Sequence, residues 1–277
     1  MKDAQKLITD HSVDTIIGPN INPSAAAMTG VVDEAKVPLV VTTPYFPPAD
    51  KHTWVFQAVQ SAELMVRRLV DDMVEHKVRT VGFIGFADSW GDLLFSELQK
   101  ASKDTGIGTV SDERYKRPET SVTGQVLKVI GSRPDVLFVG ASGAPAVLPQ
   151  TELRQRGYAG PVYPAHGVTT REFLRIGGKG VDGTFVPASP TLAAEQMPDD
   201  VESKKVAVAS NDIYEKANGA DSRSTFAGST WDASLLIHAA IPIALKRAKP
   251  GTPEFRRRCA MRLSKARAWS GSTASTT

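Results

Sequence analysis

The sequence predicts an α/β protein whose sheets are parallel and doubly wound. Unbroken hydrophobic runs, such as Thr80 to Phe86 and Asp135 to Gly140, recur along the chain and are typical of strands covered on both faces. Segments with helical periodicity separate these runs, and strands that alternate with helices indicate a parallel sheet. The 277 residues suffice for one large domain or for two smaller lobes, each with its own core.

The alternating pattern extends to about Val186 and then changes. The candidate strands are 13–17, 37–41, 80–86, 135–140, 161–164 and 183–186. Helices are expected over 23–35, 62–76, 92–103 and 144–156; in the second of these, Met65, Leu69 and Met73 recur every four residues. After about Pro187 the pattern predicts long helices over 198–216, over 225–246 and from 253 onward. The segment around Pro187 is therefore a candidate boundary between two regions.

Composition and charge argue against several classes of protein. The formal net charge of +3 is too weak for a dedicated nucleic-acid-binding protein. The single cysteine, Cys259, allows no internal disulfide and no cysteine-based metal site. No run approaches the roughly 18 apolar residues that a membrane-spanning helix needs, so the chain is not expected to span a membrane itself.

The two ends of the sequence differ from those of a complete secreted protein. Residues 1–8 have no apolar signal core and no cleavage site, and their spacing instead indicates an amphipathic helix with Ala4, Leu7 and Ile8 on one face. The chain is therefore expected to be truncated at its start. Residues 266–277 combine Ser and Thr with basic residues and have no periodic apolar face, so disorder is expected there.

Motifs that bind cofactors or carry out catalysis are missing from the sequence. Gly82-Phe-Ile-Gly85 does not follow the dinucleotide-binding pattern, and no phosphate-binding P-loop motif occurs. The five histidines show no metal-ligand spacing. We therefore expect no cofactor, no metal ion and no catalytic residue, and the chain is not expected to be an enzyme.

Polar and aromatic residues follow the predicted strands where each strand ends. In chain order they are Asn22 and Ser24, then Thr43, Pro44 and Tyr45, then Trp90, Ser142 and His166. Open α/β folds bind ligands at the carboxyl ends of their strands. Because these residues lack a nucleophile with a base and an orienting acid, they predict a binding cleft rather than a reaction centre. Trp90 is either a plug of the core or a stacking surface for a ligand.

Several segments, in a fixed order, resemble one family of proteins. They are Ile16-Ile-Gly-Pro19, Glu34-Ala-Lys-Val-Pro38, Trp54-Val-Phe-Gln57, Val81-Gly-Phe-Ile84 with Asp88-Ser-Trp-Gly91, Pro134-Asp-Val-Leu-Phe138 and Leu153-Arg-Gln-Arg-Gly157. Each segment is weak evidence alone, but together they cover about residues 4–190. The set resembles the type I periplasmic solute-binding proteins of ABC importers, in the branched-chain amino acid (Liv-type) class.

The resemblance implies a two-lobed fold, here apparently truncated at both ends. The first lobe would comprise 1–57 and 188–265 and be incomplete, and the second would comprise 58–187. The implied function is that of the substrate-binding component of an ABC importer, which captures a small organic solute in an interlobe cleft. Its partner would be the membrane permease, and its location periplasmic. The alternative is a ligand-sensing regulatory domain of the same fold.

The resemblance also assigns roles to the residues at the strand ends. It places Asn22 and Ser24, with Thr43, Pro44 and Tyr45, at the ligand carboxylate. Trp90 stands where the family has a tyrosine that lines the other lobe, and Ser142 lies near a further contact position. His166 stands where Liv-type proteins have the acid that pairs with an α-ammonium group. An imidazole there favours an aromatic or other organic carboxylate, with a branched-chain amino acid as the second option.

Overall fold

The computed structural model describes residues 2–272, apart from the side chains at positions 49, 51, 52 and 266–272. In chain order its helices and strands are α1 Lys2–Thr9, β1 Ile16–Ile17, α2 Asn22–Ala35, β2 Leu39–Val41, β3 Val55–Gln57, α3 Ala62–Glu75, β4 Thr80–Phe86, α4 Ser89–Ser102, β5 Gly108–Tyr115, α5 Thr123–Gly131, β6 Val136–Gly140, α6 Val147–Gln155, β7 Val162–Pro164, α7 Arg171–Gly177, α8 Ser203–Asn218, α9 Thr225–Leu245 and α10 Pro253–Ser272. Short 3₁₀ helices lie between several of them.

The chain divides into two compact units, each with a parallel sheet. The first unit contains the residues up to Gln60 together with those from Ser229 onward, and the second unit is Ser61–Gly228. The sheet of the first unit has the strand order β1-β2-β3, and that of the second has the order β5-β4-β6-β7. The predicted α/β class with parallel sheets is confirmed.

In the first unit, alternate residues of β2 and β3 pack into two separate apolar clusters. Leu39 and Val41 of β2 join one cluster with residues of α2, including Ala25. Val40 joins the other, with Ala233 of α9 and residues of α10. Helices therefore cover both faces of the sheet, which explains why β2 is a continuous run of aliphatic residues.

The second unit has one large core around its central strands. Residues of β4 and β6 are buried on both faces, and the aromatic rings of Phe83 and Phe138 meet edge to face with centroids 5.5 Å apart. The core extends into the flanking helices, with Leu94 and Leu98 of α4 fully buried. Aromatic pairs of this kind stabilise a core by about 0.5–1.5 kcal/mol beyond the area they bury.

Some elements differ from the sequence prediction. β5 was not predicted, because it is an edge strand and most of its residues are polar. Residues 183–186, predicted as a strand, instead contribute a single parallel bridge between Val162 and Thr184. Gly183 has a φ of +72°, which is incompatible with extended strand geometry and limits the pairing to that bridge.

The boundary between the units also differs from the expected one. Residues 188–228 belong to the second unit, whereas the sequence assigned them to the first. Two contacts attach them to the second unit. Arg171 of α7 donates to the carbonyl of Ala220, and the hydroxyl oxygens of Thr169 and Thr225 lie 2.7 Å apart, within hydrogen-bonding distance. The segment after Pro187 is therefore attached to the unit that precedes it in the chain.

The end of the chain forms a helix where disorder was expected. The backbone of α10 continues to Ser272, and alanines with basic residues, which favour helices, are frequent there. The part of this expectation that concerns residues 273–277 lies outside the described residues. Within residues 2–272, none of the helices is both long and apolar enough to cross a membrane.

Candidate functional site

The predicted site residues form two groups, one in each unit. Asn22, Ser24, Thr43, Pro44 and Tyr45 follow β1 and β2 in the first unit. Trp90, Ser142 and His166 follow β4, β6 and β7 in the second unit. Each group lies at the carboxyl edge of its own parallel sheet, which is where open α/β folds bind ligands.

In the first unit, Asn22 connects the start of α2 with the loop after β2. Its side-chain amide donates a hydrogen bond of 2.7 Å to the carbonyl of Pro44, and the Asn22 side chain is buried. Thr43, the residue before Pro44, is buried, and Ser24 is half-buried in the first turn of the helix. The two loops that carry the predicted carboxylate contacts are therefore held together by a buried hydrogen bond.

Tyr45 extends the same connection to the third strand. Its hydroxyl lies 2.9 Å from the Thr29 hydroxyl of α2, and its main-chain N–H donates to the Gln57 side chain at 2.8 Å. Gln57 ends β3 and in turn donates to the carbonyl of Val59. Sequence reasoning missed Thr29 and Gln57, because neither residue has a local signal for its partner 12 to 16 positions away.

The start of α2 is less open to an anion than the sequence suggested. Its N-cap residue, Ile21, provides no side-chain cap. The N–H groups of Ser24 and Ala25 both donate to the Ile21 carbonyl at 3.1 Å. Pro23 has no N–H group. The hydroxyls of Ser24 and Thr43 are therefore better candidates for a carboxylate contact than the helix terminus.

In the second unit, Asp88 caps helix α4 and sets the position of Trp90. One oxygen of its carboxylate accepts the N–H groups of Trp90 and Gly91 at 2.9 and 3.3 Å. The other oxygen accepts a hydrogen bond of 2.6 Å from Arg117. A capping carboxylate typically contributes about 1 kcal/mol to a helix, and here it also fixes the residue that carries the indole ring.

The rings of Trp90 and His166 contact each other edge to face. Their centroids are 5.7 Å apart and their planes meet at 78°, and both side chains are 3% exposed. The ring of Phe226 lies 6.3 Å from the imidazole on another side. Phe226 was missed from the sequence, because it begins a long helix 60 residues beyond His166 and only the tertiary fold brings it there.

The loops that carry Ser142 and His166 pack tightly against each other. The N–H of Gly143 donates to the Gly167 carbonyl at 2.8 Å. A Cβ atom on Gly167 would lie 2.6 Å from the Cβ of Ser142, closer than two such atoms approach in proteins. Thr169 holds the other side of the turn, since its hydroxyl donates to the His166 carbonyl at 2.8 Å. His166 therefore sits in a well-defined turn.

Two buried ring nitrogens at this place have no hydrogen-bond partner among the described residues. They are Nε1 of Trp90 and Nδ1 of His166. Burial lowers the pKa of the His166 imidazole to about 4, so the ring is neutral at physiological pH. Buried polar groups nearly always have a partner, and one left without a partner costs about 1–3 kcal/mol. A polar ligand atom would remove this cost.

Trp90 combines the two interpretations that the sequence left open. Its ring packs in the main core of the second unit, as a core plug would. Its indole N–H has no partner among the described residues, as expected for a group that contacts a ligand. Trp90 is therefore a core residue that carries a buried N–H donor without an acceptor among the described residues.

A surface groove lies at the opposite end of β7, away from these residues. Arg154, Tyr158, Asp182 and Phe185 contribute to its lining. Arg154 donates to the carbonyls of Tyr158 and Gly160, so its charge is already engaged. Across the described part of the chain, no cluster of three or more histidine, cysteine or acidic side chains is placed to hold a metal ion.

Both units are parallel α/β folds that carry polar groups at the carboxyl edge of the sheet, where open α/β folds bind ligands. The family model described as periplasmic binding protein matches residues 1–261. The chain belongs to this family, which confirms the resemblance found in the sequence. Members of the family bind small molecules and work with ABC transporters.

The comparison with solved structures agrees with this family assignment. An extracellular ligand-binding receptor from Rhodopseudomonas palustris is 38% identical, with a TM-score of 0.92 over 94% of this chain and 73% of that one. A solute-binding protein of an ABC transporter from R. palustris, in complex with benzoate, is 18% identical, with a TM-score of 0.76 over 95% and 69%. A leucine-binding protein from Thermotoga maritima is also 18% identical, with a TM-score of 0.79 over 95% and 71%. The comparison with curated proteins finds no match.

Proposed function

We propose that the chain is the substrate-binding component of an ABC importer and captures a small organic solute in the periplasm. Its membership of the periplasmic binding protein family supports this role. The residues proposed to contact the solute are Asn22, Ser24, Thr43, Pro44, Tyr45, Trp90, Ser142 and His166. They offer hydroxyl, amide and ring N–H groups but no carboxylate, which suits the binding of an oxygen-rich or anionic solute.

The solute that fits these residues best is an aromatic or other organic carboxylate. The observation that carries this choice is the pair of buried, uncharged rings of Trp90 and His166 with their unpartnered nitrogens. A branched-chain amino acid is the second candidate, because the sequence segments resemble those of the Liv-type class. At 18% identity, neither the leucine-binding protein nor the benzoate complex carries over its ligand to this chain.

Isothermal titration calorimetry of the purified chain against benzoate and leucine tests the proposal. We expect saturable binding of benzoate or a related aromatic acid with about one site per chain, and weaker binding of leucine. Incubation with the bound solute followed by mass spectrometry should return it unchanged, because no catalytic group is proposed. A chain that binds neither class of solute, or that converts its solute, would contradict the proposed function.

The transport role needs a separate experiment in the source organism. Deletion of the gene should reduce uptake of the solute identified by calorimetry, and a plasmid copy should restore it. Cell fractionation should place the protein in the periplasm. Normal uptake in the deletion strain, with binding intact in vitro, would favour a ligand-sensing role instead.

A further inference from the structure

The unpartnered nitrogens of Trp90 and His166 differ in what they can do chemically. The indole Nε1–H is a donor only. The imidazole is neutral, so its Nδ1 carries a hydrogen in one tautomer and a lone pair in the other. Both rings are held in place, Trp90 by the Asp88 cap and His166 by the turn that Thr169 and Gly167 stabilise. The two unpartnered nitrogens therefore lie on the rings of residues whose backbones are fixed by hydrogen bonds.

The contacts described for the pair include no free carboxylate. Asp88 is the acid closest to Trp90 along the chain, and its two oxygens already accept hydrogen bonds from two backbone N–H groups and from Arg117. On other sides, the ring of Phe226 lies near the imidazole, and the hydroxyl of Thr169 donates to the His166 carbonyl. An ammonium group placed here would lose its hydration without gaining a carboxylate partner, which is strongly unfavourable.

We propose that the second unit recognises an oxygen acceptor of the solute with two neutral ring N–H donors, Nε1 of Trp90 and Nδ1 of His166, and thereby excludes α-ammonium groups. The two rings contact each other with centroids 5.7 Å apart, so both unpartnered nitrogens belong to one buried cluster. A carboxyl or carbonyl oxygen is the acceptor that such N–H donors require. This inference rests on the proposed function and specifies which solutes it covers: organic acids without an amino group.

Matched ligand pairs that differ only in the ammonium group test the inference. Phenylalanine is compared with 3-phenylpropanoate, and leucine with 4-methylpentanoate, by calorimetry on the full chain at pH 7.5. In at least one pair, the acid without the ammonium group should bind at least about tenfold more tightly, because the amino acid must bury an uncompensated charge.

Ring-preserving substitutions test the donors themselves. Trp90→Phe and His166→Phe each keep an aromatic ring but remove the N–H. Each should lower the affinity for the organic acid about five- to tenfold, as expected for loss of a hydrogen bond. Trp54→Phe, at a buried tryptophan in the core of the first unit, is the matched control and should leave the affinity nearly unchanged. His166→Glu should reverse the preference in favour of the amino acid.

The outcomes separate the inference from the proposed function. If leucine and phenylalanine each bind as tightly as the matched acid, or if the Phe variants bind the acid normally, the inference is overturned while the binding function stands. If no member of the panel binds to the folded wild-type chain, both are overturned. Circular dichroism establishes that each variant is folded; should His166→Phe not fold, His166→Leu and the ligand pairs on the wild type decide the question.

Discussion

The side-chain amide of Asn22 donates a buried hydrogen bond of 2.7 Å to the main-chain carbonyl of Pro44, 22 residues along the chain. This bond joins the start of α2 to the loop after β2, which contains Thr43 and Tyr45. A side chain that satisfies a buried carbonyl in this way has few replacements, because a hydrophobic residue would leave the carbonyl unpaired.

Asn22→Ala should therefore destabilise the first unit. We expect a loss of about 1–3 kcal/mol in the free energy of unfolding, from the unpaired Pro44 carbonyl and the lost buried contacts. Urea denaturation followed by circular dichroism measures the change. Asn20→Ala, at the exposed asparagine two positions earlier, is the control and should change stability by less than about 0.5 kcal/mol. Equal effects of the two substitutions would show that the Pro44 bond contributes nothing.

The Asp88 cap provides a test of how Trp90 is positioned. Asp88→Ala removes the acceptor for two N–H groups of α4 and for Arg117, so we expect a loss of about 1–2 kcal/mol in stability and weaker solute binding. Asp88→Ser keeps a capping oxygen and should restore most of the stability. Thermal unfolding and calorimetry measure the two effects. Unchanged binding in a destabilised Asp88→Ala protein would show that the Asp88 cap does not position Trp90 for binding.

Burial of His166 predicts a dependence of stability on pH. Because burial lowers its pKa in the folded state to about 4, the unfolded state binds a proton near pH 6.5 that the folded state does not. Stability is therefore unaffected by this group above about pH 6.5 and falls as the pH drops from there towards 4. From pH 7.5 to 4.5 this group is expected to lower the free energy of unfolding by about 2–3 kcal/mol.

Comparison of the wild type with His166→Gln isolates this contribution from that of the carboxylates, which titrate in both proteins. Urea denaturation at pH 7.5 and 4.5 should show a smaller loss of stability on acidification in His166→Gln. His76→Gln, at an exposed histidine, serves as the control. Identical acid sensitivity of the wild type and His166→Gln would mean that the imidazole is not buried in a neutral form.

The contact between Gly167 and Ser142 leads to a steric prediction. Gly167→Ala places a methyl group 2.6 Å from the Ser142 Cβ, so the two loops must separate, at a cost of about 1–3 kcal/mol. Combining it with Ser142→Gly should recover part of that loss. Gly124→Ala in α5, where a Cβ meets no atom within 4 Å, is the control and should be neutral or stabilising. A fully stable Gly167→Ala protein would contradict the close packing described for these loops.

The alternation of strands and helices was predictable because each element leaves a local pattern. The run from Thr80 to Phe86 is continuously hydrophobic, and the structure forms a strand over the same residues. Helix α3 was predicted to within one residue of its end, since its apolar positions repeat with helical spacing. β5 escaped prediction, because an edge strand with a polar sequence lacks the hydrophobic signal of a buried one.

By itself, the sequence determined the α/β class and the residue types that follow the parallel strands, because hydrophobic period and strand-end chemistry are local properties. Only the tertiary structure decided that residues 188–228 pack with the second unit and that Phe226 lies beside His166. The same holds for the nitrogens of Trp90 and His166, which are buried without a partner among the described residues. Burial, hydrogen-bond satisfaction and the lowered pKa of His166 depend on contacts between residues far apart in the chain, which no local pattern encodes.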